Sequence, residues 1–111
     1  MRFLIIAAAL VLAGCSSIAG LEQSGPTLES HTAKSPREYA RCLTPAWQDI
    51  NSSVTSTETE RGYRLLLNVE WIGVPVMATV DGSESGATVK VYLMSTWKGA
   101  SGWESAARRC L

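Results

Sequence analysis

The stretch Gly62-Tyr63-Arg64-Leu65-Leu66-Leu67-Asn68-Val69-Glu70-Trp71 decides the fold. Tyr63, Leu65, Leu67, Val69 and Trp71 recur at every second position, and Arg64, Leu66, Asn68 and Glu70 fill the alternate ones. A period of two puts successive side chains on opposite faces of an extended strand. Ile72-Gly73 can reverse the chain, and 74–81 repeats the pattern with Val76, Ala78 and Val80 in one phase and Met77 and Thr79 in the other. Pro75 is tolerable near a strand start. A second turn, Gly82-Ser83-Glu84-Ser85-Gly86, leads into Ala87, Val89, Val91 and Leu93, with Thr88, Lys90, Tyr92 and Met94 in the opposite phase. Three antiparallel strands follow, or four if the hydroxylated stretch 52–57 is a polar edge strand rather than a loop. One sheet face is apolar and wants a cover; the other is mixed and able to meet water.

The cover is expected from both ends of the domain. Ser35-Pro36-Arg37-Glu38 is a capping box with proline at the first helical position. Tyr39, Cys42 and Leu43 then fall at the spacing of one buried helical face. Pro45 either stops this helix or kinks it through Ala46-Trp47, with Trp47 read as core rather than as an aromatic platform for a ligand. Ser101-Gly102-Trp103-Glu104 repeats the capping spacing and predicts a second helix to about Cys110, carrying Trp103, Ala106, Ala107 and Cys110 toward the sheet. Arg108 and Arg109 complement the dipole of its last turn. The expectation is an α+β two-layer sandwich over 35–111, in the order αββββα, with both helices on one face.

The first residues read differently. Met1-Arg2 is a short positive segment, and 3–13 is uncharged and apolar, well short of the ~20 residues that a spanning helix needs. It ends in Leu12-Ala13-Gly14-Cys15, followed by Ser16-Ser17. This arrangement resembles the signal and lipobox of bacterial lipoproteins. The resemblance implies that 1–14 is removed and that the Cys15 thiol carries a diacylglyceryl group. The new amine is usually acylated too, and two or three chains anchor stably where one is marginal. Ser16, rather than Asp, behind the cysteine favours the outer membrane over the inner. In this setting Cys15 is taken by lipid, and Cys42 and Cys110 remain to form one disulfide in an oxidising compartment. A loop this long would be stabilised by on the order of 4 kcal/mol on the chain-entropy picture.

Between Cys15 and Lys34 the apolar residues Leu21 and Leu28 are isolated, and Gly25-Pro26 interrupts any helix. The segment 15–34 therefore reads as a lipidated flexible tether. It holds His31, the chain's single histidine, and a base on a mobile tether lacks a fixed partner.

The chain has 10 basic and 10 acidic side chains and no basic run, which gives no electrostatic footprint for nucleic acid. There is no Gly-x-Ser-x-Gly elbow and no CxxC; the sole histidine lies in the tether, which removes a Ser-His-Asp hydrolase, and there is no second histidine for a ligand set. Glu58 with Glu60, and Asp81 with Glu84, read as solvated charges in turns rather than as a glycosidase pair. Gly82 to Gly86 lacks the Lys-Ser/Thr of a phosphate loop. No catalytic residue, metal or cofactor is therefore expected. The function expected is that of a lipid-anchored envelope module, on the periplasmic face or surface of the outer membrane. It would present the outer-phase residues Leu66, Met77, Tyr92 and Met94, or its hairpin turns, to a protein or glycan partner. The alternative is a structural or surface-exclusion lipoprotein that acts by its presence at the membrane.

Overall fold

The computed structural model describes residues 17–98 and 102–111. The expected signal segment, lipobox, Cys15 and the Ser101 cap lie outside these residues. The elements in chain order are α1 (Ile18–Ser24), β1 (Leu28–Thr32), α2 (Pro36–Ile50), β2 (Thr55–Glu58), β3 (Gly62–Val69), β4 (Gly73–Ser83), β5 (Gly86–Leu93), a 3-10 turn (Ser95–Trp97) and α3 (Trp103–Arg109). The five strands form one sheet in the order β1-β5-β4-β3-β2, with every pair antiparallel.

The alternation in 62–93 sets the register. Leu65 pairs with Ala78 and Leu67 with Val76 across β3 and β4, and Ala78 pairs with Val91 across β4 and β5. These residues, with Val80, Val89 and Leu93, form the main core. The α+β class and the two helices over this face are as expected. In α2, the Ser35 hydroxyl accepts from the Glu38 amide at 3.2 Å and the Glu38 carboxylate accepts from the Ser35 amide at 3.1 Å, with Pro36 opening the helix. The helix runs through Pro45 to Ile50. Arg41 and Pro45 are both on its exposed side, where water can replace the missing backbone bond, so the helix delivers a fully buried Trp47.

Three side-chain links join α2 to α3. Trp47 meets Trp103 edge to face, with centroids 5.2 Å apart, and its indole Nε1 donates to the Trp103 carbonyl at 3.0 Å. Tyr39 donates its hydroxyl to the Ala107 carbonyl at 2.6 Å. Cys42 and Cys110 form a disulfide with Cα atoms 5.7 Å apart. The chain end is tied down as well: the Thr32 hydroxyl donates to the Leu111 carbonyl and Lys34 Nζ to that of Cys110.

Several expectations are corrected. The segment 15–34 is not a free coil over its described part, because it contains α1 and β1. The order is therefore αβαββββα with five strands, not αββββα with three or four. The physical reason is that β1 adds to the open edge of β5 through backbone pairing, Leu28 to Val91 through Thr32 to Ala87, which leaves little side-chain pattern. Gly86 permits that approach, since a Cβ there would collide with the Thr32 carbonyl. The second correction concerns the outer face. Leu21 of α1 is buried against Val74, Met77 and Tyr92, with Ile18, Leu66 and Met94 packed around them. The expected free surface of Leu66, Met77, Tyr92 and Met94 is thus a second small core, and Met77 is fully buried. Third, α3 opens at Gly102 in a left-handed conformation, with no side-chain cap. Fourth, Trp71 does not share the core face of β3. The strand register shifts between Leu67 and Val69, the strand ends there, and Trp71 lies in the following turn. The second hairpin is also tighter than expected, because β4 and β5 continue to Ser83 and Gly86.

Two outcomes test this packing. Leu21→Ala should lower stability by about 2–3 kcal/mol in urea unfolding, whereas a residue in a tether would cost nothing. Burial pushes the Tyr39 hydroxyl above the usual range for a phenol. The unfolded chain therefore releases this proton first, and the stabilisation, complete below pH ~10, is lost as pH rises beyond it. Tyr39→Phe should remove that part of the alkaline decline and cost about 1–2 kcal/mol near neutrality, as read in unfolding curves across pH.

Candidate functional site

A surface concavity of about 290 Å³ lies on the outer face beside α1. Four segments build it. The turn between β2 and β3 contributes Glu60 and Arg61, β3 contributes Tyr63 and Arg64, β4 contributes Asp81, and α1 contributes Glu22. The register explains the convergence: Arg64 pairs with Thr79 and Gly62 with Asp81, so the outer-phase side chains of two neighbouring strands meet beside the turn. The turn is braced from within. The Thr59 amide donates to the Gly62 carbonyl at 2.8 Å, and the Gly62 amide donates to the Thr59 hydroxyl at 3.0 Å. The Gly82 amide also donates to the Arg61 carbonyl at 2.8 Å, fixing the turn to β4.

The cleft is polar and charged, with three carboxylates and two guanidinium groups. Among the described residues, none of these five is joined in an ion pair. Arg64 Nε is buried and has no hydrogen-bond partner among them. A buried donor left unmade costs free energy, and native proteins satisfy nearly all such groups. Unpaired carboxylates and guanidiniums beside a tyrosine ring suit a ligand rich in hydroxyl or amide groups, which can accept from Arg64 and donate to Asp81 or Glu60.

The carboxylates noted in the sequence are redistributed. Glu60 and Asp81 come together in the cleft, whereas Glu58 and Glu84 do not line it. His31 is on β1, not on a free segment, and its Nε2 lies 3.2 Å from the Ser85 hydroxyl in the β4-β5 turn. This pair is exposed, and no third group orients the other ring nitrogen among the described residues, so the contact ties the edge strand to the turn without forming a nucleophile-base-orienter set. No group of three His, Cys, Asp or Glu side chains fit to hold a metal ion occurs among the described residues. Cys42 and Cys110 are brought together as the expected disulfide. Arg61, Arg64 and Glu22 were not legible as a site, since charges this far apart in the chain gain meaning only once the register is known.

Comparison with protein-family models, with curated proteins and with solved structures finds no match to this chain.

Replacing Arg64 by a residue of similar shape without the orphaned donor tests whether the group is held at a cost. Arg64→Met should leave the urea midpoint unchanged or raise it, by up to about 1–3 kcal/mol in stability. A clear loss of stability would mean that the guanidinium is a structural brace.

Proposed function

We propose that this chain is a lipid-anchored, non-catalytic binding module of the bacterial cell envelope that takes a glycan in the cleft between Arg61, Arg64 and Asp81. The observation that carries the reading is the set of unpaired charges around Arg64, whose buried Nε–H has no partner among the described residues. Anchoring rests on the Leu12-Ala13-Gly14-Cys15 box, with lipid on Cys15 as the membrane attachment. Ser16 favours the outer membrane. A glycan suits the cleft better than an apolar protein surface does, because the apolar outer-face residues are occupied by α1.

The second reading, a structural or surface-exclusion lipoprotein, is favoured by one observation. The α1 cap at Ser17 is two residues after Cys15 in the sequence, so a lipid on Cys15 would hold the domain close against the bilayer. Binding separates the two readings. The full lipidated protein in detergent should co-sediment with purified peptidoglycan sacculi, and Arg64→Ala or Asp81→Asn should weaken this roughly tenfold or more, the worth of a hydrogen bond to a charged group. Equal sedimentation of the variants, or none by the parent protein, would remove the cleft reading. Metabolic labelling with a fatty acid should mark the parent chain but not Cys15→Ser; label on the variant would end the lipoprotein reading.

A further inference from the structure

Trp71 is 94% exposed, although tryptophan carries the largest apolar surface of any side chain. It occupies the β3-β4 turn with φ of 71°, in the left-handed region where a bulky residue is rare and strained. The other three tryptophans join one another: Trp47 and Trp97 both meet Trp103. Trp71 takes part in neither contact and adds nothing to either core. Such a residue at a turn tip stabilises the fold very little.

Its position gives it a use. The turn leads into β4 at Gly73, and Val74 is buried against Leu21 of α1. α1 covers the outer-face cluster that includes Val74, and Ile18 of its first turn packs against that cluster together with Met94. The chain leaves β5 beside the start of β4, with the Met94 amide donating to the Pro75 carbonyl at 2.8 Å, and the exposed Lys98 follows four residues later. Ser17 caps α1, and Cys15 is two residues before it in the sequence. The start of α1 and the bare indole therefore border the same outer-face cluster. An indole has an apolar body and one polar N–H, which suits the layer between lipid headgroups and acyl chains.

We propose that the Trp71 turn is a second membrane contact, inserted into the headgroup layer of the bilayer that holds the lipid on Cys15, and that the two contacts together fix the orientation of the domain. The inference rests on the lipid-anchored reading. Asp81 is seven residues beyond Val74 on β4, about 23 Å along the strand, so this orientation leaves the Asp81 end of the cleft facing away from the membrane.

The test uses the full lipidated protein in vesicles of phosphatidylethanolamine and phosphatidylglycerol, with and without brominated acyl chains. Flotation is measured first, and the Trp71 signal is taken as the difference between the parent protein and Trp71→Ser. The expected result is flotation of both proteins, with a Trp71 emission that is blue-shifted, quenched by brominated lipid and several-fold less accessible to acrylamide than in detergent-free soluble Cys15→Ser protein. Flotation with a Trp71 signal untouched by brominated lipid and fully open to acrylamide would overturn the membrane contact while leaving the anchor in place. Failure of the parent protein to float would overturn the anchor, and the contact with it.

Discussion

The centre of the sheet must be covered twice. β4 places Val76, Ala78 and Val80 on one face and Met77 on the other, and all four are fully buried. A strand apolar in both phases cannot rest with one face in water, and the outer face needs a second cover besides the pair α2 and α3. α1 supplies it with a single deeply buried residue, Leu21. That requirement draws the N-terminal segment into the fold. It also places β1 on β5 and brings Glu22 to the rim of the cleft.

The inner face depends on a different device. Two helices of unequal length are held by an aromatic edge-to-face contact, two hydrogen bonds from buried ring groups to backbone carbonyls, and one disulfide. The carbonyls of Trp103 and Ala107 gain partners in the interior, and the large apolar surfaces of Trp47 and Tyr39 are buried without leaving their polar atoms unmade. A domain this small has limited core, and a covalent link between its first long helix and its last residues reduces the freedom of the unfolded chain.

Much of this was legible in the sequence where the signal was local. Alternation in 63–69 and 74–93 identified three strands and their inward residues, the Ser35-Glu38 box located a helix start, and the spacing of Trp103, Ala106, Ala107 and Cys110 gave the buried face of the last helix. What escaped was non-local. Leu28-Glu29-Ser30-His31-Thr32 carries almost no apolar alternation because its stabilisation comes from backbone pairing with an edge already present. Leu21 looked isolated because its buried partners Val74, Met77 and Tyr92 lie more than fifty positions away in the chain. Trp71 fitted the alternation, yet the register shift after Leu67 turned it out of the sheet. The cleft was invisible for the same reason as α1: Glu22, Arg64 and Asp81 share a surface only after strand pairing is fixed.

The proposed function follows from this placement. With α1 capped at Ser17, two residues after Cys15 in the sequence, a domain lipid-anchored at Cys15 would have no long tether, so its own surface would decide how it meets the bilayer and which cleft stays open. The most direct test is native-state hydrogen exchange of the amides in 28–32. Incorporation of this segment as a sheet strand predicts slow exchange for its paired amides, in the same class as those of β4 and β5. Exchange of the whole segment at the rate of an unstructured chain, with β4 and β5 still protected, would restore the tether and contradict the account.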